Sequence, residues 1–353
     1  MNKKLHVVVA CSTKEGLKKE YAEHNGILEN DEEPPPDFFA EGDTPFTIDA
    51  VAKAISFSGH YVEILEGNSD FPISIKKIAP DIVFNISEGL YGDMRESFVP
   101  MICERYSIPY TGSGPLSLAI CLNKFRTKEI LAWNKIPVSP FKICFSYDNI
   151  DLSNLNFPLI VKPISEGSSK GIFEDSFVEN DTTAKLRIKE KILKYKQPVI
   201  VEEYLPGEEF TVAIWGNDDE IEVLPIVAIK FDKLPPQSKK LYSYEAKWIW
   251  DTDENPLEIF ECPAKISNDL RKAIEKVAIN AYRCLDIRDW CRIDVRLDGN
   301  SVPNIIELNP LPGILPNPEQ NSCFPKAART AGYSYDQMIN KVLGFACKRY
   351  GLE

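Results

Sequence analysis

Cys291-Arg-Ile-Asp-Val-Arg-Leu-Asp298 runs through the turn Asp298-Gly-Asn-Ser301 into Ile305-Ile-Glu-Leu-Asn-Pro-Leu-Pro-Gly313, and the chain is organised around this pair. Val, Ile and Leu alternate with polar residues in both pieces, the pattern of two antiparallel strands. Alternation places Arg292 and Asp294 on one face, and Glu307 and Asn309 on one face of the partner. If the two faces coincide, one basic group meets three hard oxygen ligands, a set that suits Mg²⁺ better than zinc. A plain hairpin with a solvated polar face would show the same alternation. Pro310-Leu-Pro-Gly313 tips the balance, because it ends the strand in a rigid turn whose Gly lets backbone N–H groups approach a ligand.

At 353 residues the chain exceeds one typical domain. A formal net charge of −12 argues against nucleic acid and anionic membrane as partners. No apolar run is long enough to span a bilayer. The basic and then apolar start, Met1 to Cys11, is too short for a signal core and contains His6, so it reads as a first strand of a cytoplasmic protein. Nine scattered cysteines with no Cys-x-x-Cys pair form neither a disulfide framework nor a zinc site. Only His6, His24 and His60 are present, which disfavours Ser-His and Cys-His catalysis.

Leu5–Ala10 is a continuous apolar run, as in a buried parallel strand. Residues 11–46 are polar and aperiodic, with Glu32-Glu33-Pro34-Pro35-Pro36-Asp37; they read as a long loop or flap, or as a disordered insertion. Thr47–Ser58, Ile73–Ile78 and Glu96–Arg105 read as helices alternating with strands Tyr61–Leu65 and Asp81–Asn85, hence a parallel α/β layer. Ligands of such layers lie beyond the strand C-termini, where Asn85-Ile-Ser-Glu-Gly-Leu-Tyr-Gly92 follows. Gly112-Ser-Gly114 lacks the third Gly of a dinucleotide fingerprint. Lys162 ends the apolar strand Leu159–Pro163, a costly place without a partner. Glu166-Gly-Ser-Ser-Lys-Gly171 can fold N–H groups over phosphates, but no Gly-Lys-Ser/Thr opens a helix as in a P-loop. Asp181–Lys196 and Ser267–Leu285 read as helices, as does Tyr335–Tyr350. Val199–Leu205, Phe210–Trp215 and Val223–Ile229 read as strands.

Arg292-Ile-Asp294 followed by Glu307-x-Asn309-x-x-Pro312-Gly313 resembles the metal and phosphate signature of the D-alanine–D-alanine ligases, members of the ATP-grasp superfamily. The resemblance extends over Ile108-Pro-Tyr-Thr-Gly-Ser-Gly114, Asn123-Lys-Phe-Arg-Thr-Lys128, Val161-Lys-Pro163 with Gly167-Ser-Ser169, Val201-Glu-Glu-Tyr-Leu205, and Tyr242-Ser-Tyr-Glu-Ala-Lys-Trp248. It implies an α/β ATP-grasp fold: an N-terminal parallel α/β domain (1–112), a central subdomain (113–203) and a C-terminal catalytic subdomain (204–353), the last two α+β and clamping ATP. It implies an ATP-dependent carboxylate–amine ligase that works through an acyl phosphate. The substrates would be small molecules, amino acids, and the assembly a homodimer through the N-terminal domain.

By that resemblance Lys124 and Lys162 contact ATP phosphates, and Glu202 and the backbone of the Glu202-Glu203 strand end read the adenine edge. Tyr204 and Leu205 line its pocket, and Glu209 reaches the ribose. Asp294, Glu307 and Asn309 hold Mg²⁺, with Mn²⁺ as the alternative. Lys247 approaches the reacting phosphate, while Arg292 and the Gly313 N–H face the oxyanion. Ser168 positions substrate, and Trp248 stands where the family often has a Tyr that bonds this serine. Trp donates from its ring but cannot copy a phenol. Glu41 is the candidate for the first substrate's ammonium. For the second carboxylate, alignment from Pro325-x-Ala-Ala328 selects Ser322, and alignment from Gly313 selects Pro318. The Asn85–Gly92 loop departs from the family's His-Gly-x-x-Gly-Glu, so other amino acids compete with D-alanine as substrates, and a non-catalytic ATP-binding homologue is a third reading.

Overall fold

The computed structural model describes residues 4–28, 34–35, 37–236, 238–251 and 257–352. The apolar run His6–Cys11 is the middle strand of a parallel three-stranded sheet, between Tyr61–Glu66 and Ile82–Asn85. Val7 to Cys11 are fully buried, which explains why this strand does not alternate. Helix Pro45–Phe57 covers the sheet; Thr44 caps it by accepting from Thr47 N, with Pro at the first helical position.

The reading of residues 11–46 as a loop is corrected. Lys14–Leu28 is a helix of 15 residues, and Asp37–Glu41 forms a turn that follows it. Gly16, Asn25 and Gly26 lower helix propensity, and Leu17 is the one buried side chain among its described positions. A helix that buries so little leaves no apolar stripe to read. Half of the acidic-proline run, Glu32, Glu33 and Pro36, lies outside the described residues.

Four antiparallel strands form the second sheet, in the order Phe141–Cys144, Val199–Glu203, Leu159–Pro163, Phe177–Val178. Helix Asp181–Tyr195 packs on it through Ala184 and Ile188. The third sheet is also antiparallel, in the order Phe260–Glu261, Val227–Ile229, Glu209–Trp215, Trp290–Leu297, Pro303–Asn309. Glu222–Val223 pairs beside Glu209–Trp215, so the expected strand Val223–Ile229 is in fact two short ones. The break contains Pro225, which has no N–H for a ladder.

Helix Asn268–Cys284 covers one face of the third sheet through Ile274, Val277, Ala278, Ala281 and Tyr282. The other face shares a core with the first sheet: Val7, Val9 and Phe84 meet Trp215, Trp290 and the C-terminal helix Tyr335–Tyr350. That helix packs on Pro45–Phe57, and Asn340 Nδ2 donates to Ala54 O at 2.8 Å. All nine cysteines are free, six of them buried. Among the described residues no helix is long and apolar enough to cross a membrane.

Candidate active site

The hairpin fixes the site. In its register Arg292 lies opposite Asn309 and Asp294 opposite Glu307, so the polar faces do coincide. Arg292 donates to Asp294 from Nε at 3.2 Å and from Nη2 at 3.0 Å, and lies 3.7 Å from Glu307. Thr211, from the neighbouring strand, donates to Asp294 at 2.7 Å. Asn309 Nδ2 is 3.5 Å from Asp294. Lys124, at the start of helix Lys124–Trp133, reaches Glu307 at 3.2 Å and the carbonyl of Glu166. Burial would raise the Glu307 carboxyl, but Lys124 and Arg292 outweigh it and hold it low. Burial keeps the facing Asp294 carboxyl raised despite Arg292. Among the described residues no group of three or more His, Cys, Asp or Glu is placed so that it could hold a metal ion by itself. The donor set is two facing carboxylates and one amide, a sparse hard-oxygen set that fits Mg²⁺ completed by water and phosphate.

A register shift after Asp294 sets Val295 opposite Ile305. Ile306 is thereby the extra residue of a β-bulge, and both Ile306 and Glu307 line the same cavity. That cavity has a volume of about 660 Å³ and lies between the second and third sheets. Lys162 reaches into it and finds its partner in Glu202 at 3.1 Å; Lys128 approaches the same carboxylate at 3.4 Å. Burial lowers Lys128 to about 8 against the pull of Glu202. Tyr204 and Leu205 line the wall. Tyr204 receives Arg296 Nη2 at 2.6 Å, and Arg296 also pairs with Glu209 at 2.9 Å. The Glu203 side chain takes a different course, accepting from Asn156 N and Nδ2 at 2.8 and 2.9 Å.

The reacting end is closed by Ser168, Lys247, Trp248 and Gly313. Ser168 and Ser169 have φ of +51° and +61°, a strained left-handed turn for non-glycine residues. Lys247 and Trp248 lie on a π-helical turn, Ala246–Trp250. Burial and Arg292 lower Lys247. The Trp248 ring N–H donates to the backbone oxygen of Ser168 at 3.1 Å, so an indole-to-main-chain bond joins the two loops. Ser322 lines the cavity; it donates to Gly313 O at 2.9 Å and accepts from Leu315 N at 3.2 Å. Pro318 is not among the lining residues. Glu41 lies beside Gly167, contacted by Arg95 at 3.0 Å and by Lys170.

Several residues at the site escaped sequence reasoning. Arg296 shares the two-residue period of Arg292 and Asp294, so its signal was present. Lys128, one turn beyond Lys124, was equally visible. Glu88 and Lys170 lie in the two loops the sequence did mark, Asn85–Gly92 and Glu166–Gly171, without standing out within them, and Arg95 carried no local signal. Lys14 and Lys18, four apart on the first helix, line the cavity and were hidden by the loop reading.

A family model of the D-ala D-ala ligase C-terminus matches residues 136–344. A Sinorhizobium fredii protein designated y4sG is 32% identical over 310 residues, covering 86% of this chain and 88% of its own. A D-alanine–D-alanine ligase of Glaesserella parasuis is 34% identical over 302 residues, covering 83% and 90%. The crystal structure of a Bacillus anthracis D-alanine–D-alanine ligase complexed with ATP superposes with a TM-score of 0.72, at 20% identity and 99% coverage of both chains.

Proposed function

Because this chain belongs to the D-alanine–D-alanine ligase family, we propose that it uses ATP to join the carboxylate of one amino acid to the amine of another, with Arg292, Asp294, Glu307 and Asn309 at the centre. The observation that carries the reading is the hairpin register, which brings one guanidinium, two carboxylates and an amide together beside Lys124 and Lys247.

ATP would lie between the second and third sheets. Lys162, Lys128 and Glu202 face its adenine and phosphates, Tyr204, Leu205 and Ile306 its ring, and Glu209 with Arg296 its ribose. Asp294, Glu307 and Asn309 would hold a divalent cation, which when bound neutralises phosphate charge. Lys124 and Lys247 add positive charge at the transferring phosphoryl group. The first carboxylate attacks the terminal phosphorus, ADP leaves, and the amine then displaces phosphate from the acyl phosphate with loss of a proton. Arg292 and the Gly313 N–H would stabilise the oxyanion of that second step; one well-aimed donor is worth about 3–4 kcal/mol. No protein nucleophile is needed. Ser322, which lines the cavity where Pro318 does not, would receive the second carboxylate. The assembly would be a homodimer through the N-terminal layer, as in the sequence reading.

D-alanine pairs are one substrate choice. Other amino acids are the second reading, favoured by the engaged carboxylate of Glu41 and the indole contact at Ser168. Phosphate release from ATP and Mg²⁺ across D- and L-amino acids, singly and paired, with product mass, tests both. Turnover with D-alanine alone supports the first and turnover only with another pair the second. No release with any pair removes the ligase reading. Asp294→Asn and Glu307→Gln are each expected to cut turnover at least about 100-fold with circular dichroism unchanged. Near-normal rates in both would refute the cation assignment.

A further inference from the structure

The Glu41 carboxylate is fully engaged. Its Oε1 accepts from Gly167 N at 2.8 Å and from Arg95 Nη2 at 3.0 Å, and its Oε2 is paired with Lys170. Burial would raise this carboxyl, but Arg95 and Lys170 outweigh it and hold it at about 2. An anion with two cations and an amide donor has little left to offer an incoming ammonium.

Glu88 is the opposite case. It lines both the main cavity and an adjoining one of about 80 Å³, which Ser168, Lys247, Arg292 and Gly313 also border. Its carboxylate makes no hydrogen bond or ion pair with any described residue. Its backbone, by contrast, is clamped. Arg95 Nη1 donates to Glu88 O at 3.3 Å, and Gly89 N donates to Ser12 Oγ at 3.0 Å. Gly89 has a φ of +68°, and a Cβ there would come within 2.9 Å of Arg95 O, so this turn accepts only glycine without shifting.

The charges around Glu88 do not balance. Glu41, Glu88, Glu96 and Glu166 cluster about Arg95 and Lys170; of the next cations, Lys124 is committed to Glu307 at 3.2 Å, and Lys247 borders the same small cavity and feels the charge of Glu88 without forming an ion pair with it. Burial first, then Glu41 and Glu96, push the Glu88 carboxyl well above the usual range. The cluster is short of a cation beside the groups that face the reacting atoms.

We propose that Glu88 receives the ammonium of the first amino-acid substrate, and that Glu41 instead ties the Gly167–Ser168 turn to Arg95 and Lys170. The assignment rests on the ligase reading above. It makes Glu88 a specificity-determining residue, because an acid lacking the amine would leave the anion cluster uncompensated.

The test is binding to the full chain in the presence of Mg²⁺ and a non-hydrolysable ATP analogue. Each amino acid of the panel is titrated against its deamino counterpart, propionate in the case of alanine. The wild type is expected to favour the amino acid by about 10–100-fold, the range of a charged hydrogen bond. Glu88→Gln should bring that preference to within about threefold without changing affinity for the ATP analogue. Glu41→Gln should lower the melting temperature yet keep the preference in the folded protein. A full preference in Glu88→Gln, or its loss in Glu41→Gln, overturns the assignment and leaves the ligase reading standing. A wild type that neither binds any amino acid nor releases phosphate with one removes both.

Discussion

Glu202 is held between two buried amines, Lys162 at 3.1 Å and Lys128 at 3.4 Å, so the trio carries one positive charge in excess. A desolvated surplus of that kind is costly until an anion arrives. Lys162→Met is therefore expected to raise the KM for ATP more than about tenfold while leaving the melting temperature level or higher. Glu202→Leu strands both amines and should destabilise the protein by about 3–5 kcal/mol in denaturant unfolding. A KM unchanged in Lys162→Met would disprove the phosphate role. The need of Lys162 for a partner was legible from its place at the end of an apolar strand. Which carboxylate supplied it was not, because Glu202 sits 40 residues on and is brought alongside only by the pairing of Leu159–Pro163 with Val199–Glu203.

Among the elements, the hairpin could be read almost whole. Strand alternation has a strict period of two, so Arg292 and Asp294 had to share a face, as did Glu307 and Asn309. The bulge at Ile306 was not readable, since a bulge is a property of two strands and the sequence shows one at a time. The first helix was missed for a different reason, its want of an apolar stripe. Its junction with the chain that returns to the first sheet holds a further consequence. Asp43 bonds Ser12 and Lys14 through its backbone, and burial raises its carboxyl to about 7, with Glu66 adding to the rise. A raised folded-state pKa means the charged form is penalised in the fold. The penalty is absent below about pH 4, where the carboxyl is protonated folded or unfolded, and is complete above about pH 7. Asp43→Asn should then melt higher than the wild type at pH 8 and level with it at pH 4. Equal melting temperatures at pH 8 would show that Asp43 ionises without cost.

For the molecule as a whole, the second and third sheets face each other across the cavity, and bonds between their loops and flanking helices join the two walls. Trp248 to Ser168 is one; Lys128 to Ile305 O at 3.3 Å is another. A ligand touching both walls stabilises the folded chain by mass action, about 2.7 kcal/mol at one hundred times its Kd. The melting temperature should climb with the logarithm of ATP concentration in the presence of Mg²⁺. A flat response to millimolar ATP would mean the cleft does not take nucleotide. The order of the sheets along the chain was legible from strand and helix patterning. The acid–base cluster around Glu41 was not: it joins residues 54 and 126 apart in sequence, and no local pattern encodes such a meeting.

The helix Tyr335–Tyr350 packs on Pro45–Phe57, and its Asn340 bonds a backbone oxygen 286 residues earlier. On the ribosome, then, the first sheet emerges long before the side chains that complete its core. Val7, Val9 and Ile55 wait with an apolar face uncovered until Ile339, Leu343 and Cys347 have been made. The N-terminal layer thus keeps an open apolar face through most of synthesis, and helix Tyr335–Tyr350 acts as the clasp that closes it.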